Sequence, residues 1–279
     1  MLLSQLYLYP VKSLRGCPVD SAEIDALGIV GDRRFLVVDT SGKFLTQRVL
    51  PRMALITPAL FGGVLTLDAH GLPPLHVPVA DDPAAPLVTC EVWSSSGLLA
   101  EDCGPAPAAW LTGFLGQPCR LVRIGRKFAR PMPDKKIPPA LQSSGPHLVA
   151  FNDAYPFLLL GQASLDDLNR RLSEAGAQPV PMNRFRPNLV VAGSPAYAED
   201  DWRVLRIGLV TFHAGGPCGR CVVTTTDQDT AQRGVEPLRT LAAYRRDPAK
   251  PNDVNFGQNL LHQTKRGVLR IGDTVIPLE

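Results

Sequence analysis

Phe35-Leu36-Val37-Val38-Asp39-Thr40-Ser41-Gly42-Lys43-Phe44-Leu45-Thr46 reads as an apolar run, a polar break and a second short apolar run. Branched and aromatic side chains fit a pleated surface, and Thr-Ser-Gly-Lys supplies the break, so the stretch predicts a β-hairpin. The same unit recurs on both sides. Leu6 and Leu8 alternate with Gln5 and Tyr7, residues 59–61 and 64–67 flank Gly62-Gly63, and residues 75–77 and 87–93 add short strands. Strands this short, separated by turn residues, suit a small barrel or sandwich. With 27 Pro and 24 Gly in 279 residues, a long-helix bundle is excluded.

Three helices are predicted. Over 107–115, Trp110, Leu111, Phe114 and Leu115 share one helical face. Over 164–175, Ser164 and Asp167 resemble a capping box ahead of a Leu165/Leu168/Leu172 stripe. The third, over 237–245, is opened by Pro237. Further strands are expected at 189–192, 204–212, 221–226 and 268–276, giving a mainly β (α+β) chain. A division near a basic, Pro-rich stretch separates residues 1–125 from 126–279. That stretch carries Arg120, Arg123, Arg126, Lys127, Arg130, Lys135 and Lys136 against only Asp134. It reads either as a solvated, Pro-broken linker or as a docking patch for an acidic partner.

Composition narrows the function classes. The chain is 45% hydrophobic and 20% charged, which is globular, and a net charge of +3 is too small to imply nucleic-acid binding. No apolar run approaches the roughly 18 residues of a membrane span, and the amino terminus has no basic segment followed by an apolar one. No membrane association and a cytoplasmic, untargeted protein are therefore expected. Six cysteines without a secretion signal do not predict a disulfide scaffold, and five histidines make a multi-histidine metal site less favoured.

The sharpest local feature is Gly215-Gly216-Pro217-Cys218-Gly219-Arg220-Cys221. Its C-x-x-C admits four chemistries. A redox pair wants the motif to open a helix, whereas Val222, Val223, Thr224, Thr225 and Thr226 favour a strand. A structural zinc wants a second cysteine pair, which Cys90 and Cys103 do not form. A nucleophile wants a histidine, and His213 is near in sequence. A single thiolate on a soft metal would gain from Arg220 lowering a thiol pKa. Chemistry alone leaves these unranked, beside the plain alternative of two cysteines packed in a turn.

A wider pattern surrounds the motif. Tyr9-Pro10-Val11-Lys12-Ser13, Asp32-Arg33-Arg34-Phe35, residues 153–157, Phe185-Arg186-Pro187-Asn188, Cys218-Gly219-Arg220-Cys221 with Thr224-Thr225, and Phe256-Gly257-Gln258 follow in order. Together they resemble the MOSC-domain molybdenum-cofactor proteins, among them the mitochondrial amidoxime-reducing component and its bacterial relatives. The resemblance covers nearly the whole chain and implies an amino-terminal β-barrel domain packed on a MOSC β-barrel domain. It implies a molybdenum–molybdopterin cofactor with Cys221 as the catalytic metal thiolate and no such role for Cys218. Lys12, Ser13, Arg33, Asp153, Arg186, Asn188, Gly219, Arg220 and Asn259 are the implied cofactor-binding residues. Asn259 departs from a Tyr of the family pattern.

The activity implied is reduction of N-hydroxylated small molecules: amidoximes, hydroxylamines and N-hydroxylated bases. The sequence ends at Glu279 without the ferredoxin-like domain of some relatives, and its cysteines lack the C-x₄-C-x₂-C spacing of a two-iron cluster. An external electron-transfer protein of ferredoxin, flavodoxin or cytochrome type is therefore expected. Two other classes fit the same motifs, a cofactor-binding or carrier protein and a sulfur-transfer protein, both without reductase turnover.

Overall fold

A computed structural model describes residues 1–279. The hairpin expected at residues 35–46 forms only in part. Phe35–Asp39 is a buried strand, and Asp39 Oδ1 accepts from Ser41 N at 2.8 Å and Lys43 N at 3.0 Å, so the turn exists. Phe44 then meets Val38 through a single bridge, and the full-length antiparallel partner of Phe35–Asp39 is Cys119–Arg123. These two strands extend into a four-stranded sheet through Ser95–Asp102 and Leu87–Val92. The Gly62-Gly63 hairpin is as expected. Both glycines have positive φ, 56° and 77°, between Thr57–Phe61 and Val64–Asp68, and Leu75–Pro78 completes a three-stranded sheet. Helix α1, Pro105–Leu115, buries Leu111, Phe114 and Leu115 against Val11, Phe35, Val37 and Leu121.

An eight-stranded sheet runs in the order Val275–Pro277, Val204–Ile207, Val210–Gly219, Asn255–His262, Phe157–Gly161, Leu189–Ala192, Leu2–Leu8, Cys17–Pro18. The first strand of the chain thus pairs with Leu189–Ala192, and Ser21–Asp25 pairs with Gly267–Arg270. The sheets interlock across residues 125/126, so a division there follows the chain but not the hydrogen bonding. Helix α2, Gln162–Glu174, lies over this sheet with Leu165, Leu168 and Leu172 buried, next to α3, Leu238–Tyr244.

Four local expectations are corrected. Residues 221–226 are not a strand. Val222–Thr225 is a 3₁₀ turn, in which Thr224 Oγ1 donates to Cys221 O at 3.0 Å and Thr225 Oγ1 to Val222 O at 2.8 Å. These threonine hydroxyls bond the local backbone, which outweighs their β preference. Residues 204–212 are split by a turn at Gly208, and residues 268–276 by one in which Asp273 Oδ2 accepts from Arg270 N at 2.8 Å. The capping box at Ser164 is absent because α2 starts at Gln162; Ser164 Oγ instead donates to Glu199.

Beneath the large sheet, Phe157 meets Phe212 and His262 edge-on, at 5.0 and 5.2 Å between centroids. His262 is fully buried, with Nε2 assigned as donor to Asp25 O at 2.8 Å and Nδ1 unpartnered. Burial, reinforced by the charge of Lys265, pushes its pKa down from 6.5 to about 4. The unfolded chain binds this proton below pH 6.5 and the folded chain does not. Stability should therefore fall as pH drops from about 6.5 to 4, by about 3 kcal/mol from this group. Urea denaturation of His262→Gln, which keeps a donor but cannot titrate, should show a shallower acid loss than the parent. Equal slopes would show that the imidazole is charged inside the fold.

Candidate functional site

The segments that the interlocked sheets bring together enclose one cleft of ≈ 280 Å³. Lys12 and Ser13 follow the first strand and Arg33 precedes Phe35–Asp39. Asp153 lies in the loop before Phe157–Gly161, Arg186 and Asn188 before Leu189–Ala192, and Gly219, Arg220 and Cys221 at the end of Val210–Gly219. Asn259 comes from the neighbouring strand, so all ten residues singled out in the sequence line this one cleft.

Its charge is lopsided: Lys12, Arg33, Arg48, Arg186 and Arg220 face one carboxylate, Asp153. Lys12 is buried, donating to Phe151 O at 2.8 Å and pairing with Asp153. Burial pushes its pKa down to about 8 despite the carboxylate beside it. Asp153 sits at the rim. Burial would raise its pKa, but Lys12, Arg48 at 3.5 Å and the Trp93 indole N–H at 3.0 Å more than offset this, so it stays ionised. Arg33 and Arg186 both lie against the Tyr9 ring, at 4.2 and 4.5 Å from its centroid. Arg186 also donates to Leu14 O at 2.6 Å, and burial lowers its pKa to about 10, leaving it charged at neutral pH. Ser13, Arg33 and Arg186 adopt positive φ of 67°, 49° and 56°, a conformation costly for residues with a Cβ and one that clusters at functional sites.

Other residues hold this set in place. Buried Asp32 accepts from Tyr9 N at 2.8 Å, pairs with Arg33 and receives the Asn188 amide at 3.3 Å. Asn188 also accepts from Arg33 at 2.9 Å and donates to Tyr7 O at 3.2 Å, so its amide is engaged within the wall. Asn259 donates to Gly216 O and Pro217 O, at 3.2 and 3.1 Å, and steadies the strand leading to the cysteines. In that strand the Tyr155 ring occupies the space a Cβ on Gly215 would need, 2.1 Å from the nearest carbon, and Gly216 has φ +102°. Arg130 is buried and clamps the carbonyls of Ala150, Asn152 and Asp153.

The two cysteines differ from expectation. Cys221 is not a strand residue; it caps the 3₁₀ turn, with its carbonyl carrying that turn's bonds. Arg220 addresses Cys218, not Cys221, with Nη1 at 3.0 Å from Cys218 Sγ and Nη2 donating to Phe185 O at 2.6 Å. Both thiols are free and line the cleft.

Tyr9, Asp32, Arg48, Trp93 and Asn152 carry no role in the sequence reading, and Arg130 is placed there only in the basic stretch. Tyr9 and Asp32 lie inside the quoted motifs and were within reach, whereas Arg48 and Trp93 arrive from loops without a pattern. Two cleft-lining residues each keep a buried polar atom without a partner, Asn152 Oδ1 and Arg220 Nε. The cations lining the cleft call for a ligand that carries negative charge.

Several charges of the basic stretch are engaged within the fold. Arg120 pairs with Asp102 and Arg123 with Glu101 from within a strand, Arg126 pairs with Asp81, and Arg130 is buried. No helix is long and apolar enough to cross a membrane.

Comparison with known proteins agrees with the arrangement. Residues 1–118 match the MOSC N-terminal beta barrel domain and residues 146–276 the MOSC domain. Mitochondrial amidoxime-reducing component 1 of Homo sapiens is 38% identical over 98% of this chain and 82% of its own length. The Mus musculus protein of that name is 36% identical over 98% and 81%. Mitochondrial amidoxime reducing component 2 of Rattus norvegicus is 36% identical over 98% and 82%. Those names are mitochondrial, and nothing specific to this chain supports the cytoplasmic expectation. With both domains matched and identity this high over nearly all its length, the chain belongs to the MOSC-domain family that includes the amidoxime-reducing components.

Proposed function

We propose that this protein is a molybdenum-cofactor-dependent reductase of N-hydroxylated compounds, with amidoximes, hydroxylamines and N-hydroxylated bases as the substrate class. One observation carries the reading: two free thiols and five cations line a single cleft. That donor set fits a phosphate-bearing pterin with a soft metal. The relatives' names supply the reaction class.

When bound, the cofactor supplies two-electron chemistry that removes the N–O oxygen as water. The chain's own residues do the rest. Cys221 offers the soft thiolate. Lys12, Ser13, Arg33 and Arg186 form the anion cradle, pre-set by the Tyr9 ring and the Asp32 carboxylate, so little side-chain freedom is lost on binding. Asp153, held ionised, accepts N–H donors. Phe157, Leu158, Phe185 and Val223 line the same cleft and limit water around the site. The test is anaerobic turnover of benzamidoxime by the purified protein with a reduced dye as donor. Benzamidine is the expected product, and retention of the cofactor without turnover would favour a carrier or sulfur-transfer protein.

Electrons in this reading come from a separate redox protein. Of the basic stretch, Lys127 and Lys135 remain as exposed cations without carboxylate partners, and steering by such groups is an on-rate effect. Lys127→Glu with Lys135→Glu should slow reduction by an acidic protein donor several-fold and flatten its salt dependence, with dye-driven turnover unchanged. Equal rates with the protein donor would place its docking face elsewhere.

A further inference from the structure

A second recess of ≈ 310 Å³ opens beside the cleft and shares Arg48, Asp153, Ala154 and Gly219 with it. Its other walls include Trp93, Arg130 and Lys136. Trp93 is unusual twice over. Its backbone sits at φ 55°, unfavourable for so bulky a residue, and the residue stays 46% exposed. That indole is also fixed: its N–H bonds Asp153 at 3.0 Å, Phe44 meets it edge-on at 5.1 Å, and the Arg48 guanidinium lies 4.5 Å from its centroid. A strained, immobilised and still exposed aromatic surface is a stacking platform.

The charge around it does not balance. Arg48, Arg130 and Lys136 face Asp153 alone, and that carboxylate is already engaged by Lys12, Arg48 and the indole. Lys136 is in none of the close ion pairs of the recess; burial, then the charges of Arg130 and Lys135, push its pKa down, opposed only by the more distant Asp153. A half-buried cation next to other cations and without a counter-charge is relieved by an anion from outside.

We propose that this recess holds the non-reacting part of the substrate and selects planar N-hydroxylated compounds that carry an anionic group, with the ring on Trp93 and the anion at Lys136. The recess shares Gly219 with the cleft that Cys221 lines, and the N–O end of such a compound would lie in that cleft. This rests on the reductase reading and narrows its substrate class. It separates an N-hydroxylated nucleotide, which satisfies both features, from the matching nucleoside, which satisfies one.

The experiment compares kcat/KM, with a dye donor, for two pairs: N4-hydroxycytidine 5′-monophosphate against N4-hydroxycytidine, and 4-carboxybenzamidoxime against benzamidoxime. The anionic member should be favoured by about 10-fold or more. A preference in the first pair alone identifies phosphate, and one in the second alone identifies carboxylate. Lys136→Gln should bring the ratio toward one, and Trp93→Leu should raise KM for the planar substrates more than it lowers kcat. Binding is read separately: cytidine 5′-monophosphate should quench tryptophan fluorescence at about 10-fold lower concentration than cytidine, and Trp93→Phe should remove that signal. Turnover of benzamidoxime without preference in either pair, or equal binding of the two cytidines, would overturn the recess assignment. Absence of turnover with all four compounds would overturn the reductase reading alone, and the binding measurement then decides the recess.

Discussion

Cys221→Ser should reduce benzamidoxime turnover by more than about 100-fold, because groups that merely support a metal ligand already cost about 10- to 100-fold. Its fold should survive. Cys221 acts on its surroundings through its carbonyl, which accepts from Thr224 N and Oγ1, and serine is itself a favourable residue ahead of a helical turn. Cys218→Ser should keep most of the activity. Its sulfur accepts from Arg220 Nη1 at 3.0 Å, and a serine oxygen can accept the same hydrogen. The comparison is informative because both thiols line one cleft and Arg220 sits nearer the one assigned no metal role. Equal effects, or Cys218→Ser as the severe variant, would overturn the ligand assignment.

The second large effect is expected at the anion cradle. Arg186→Ala removes a buried cation and leaves Leu14 O without its donor, and each charge-assisted hydrogen bond is worth about 1.5–3 kcal/mol. That corresponds to about 10- to 150-fold weaker cofactor retention. Arg33→Ala should act similarly and also release Asp32 and Asn188. Lys12 adds a pH signature: with a pKa of about 8, its ammonium is lost as pH rises through that value, so retention should weaken above about pH 8. Molybdenum and pterin content after gel filtration, at pH 7 and pH 9, measures all three effects. Full content in Lys12→Ala, Arg33→Ala and Arg186→Ala would place the cradle elsewhere.

The mainly β class and the two domains were legible in the sequence, and the residues named there as site candidates lie around one cleft. Those candidates sit in short motifs, and Lys12, Arg33, Arg186 and Cys221 could be named only through the family resemblance that the motifs carry together. Their true partners were harder to read. Asp32 and Tyr9 look like ordinary neighbours of the motif residues until the chain brings Asn188 and Arg186 against them. Arg48 and Trp93 are placed only by long-range pairing. Asn188 and Asn259 could be named but not given their role, since an amide that bonds the wall and one that bonds a ligand look alike in sequence.

For the fold, local alternation located most strands but not their neighbours. Nothing in residues 2–8 says that they pair with Leu189–Ala192, because register and partner are set by distant segments. The error at residues 221–226 has a local cause: β-branched threonines read as strand formers, yet their hydroxyls bond carbonyls three residues back. The basic stretch is less uniformly charged than its sequence suggests, since Glu101, Asp102 and Asp81 lie well before the arginines they pair with.

The central claim is that the cleft around Cys221 holds a molybdenum–pterin group. It is tested most directly by elemental mass analysis and pterin quantification on the intact protein, purified from a host that makes the cofactor. Close to one molybdenum and one pterin per chain is expected, with the metal lost in Cys221→Ser. A protein without molybdenum, or one carrying stoichiometric zinc or iron in its place, would contradict it.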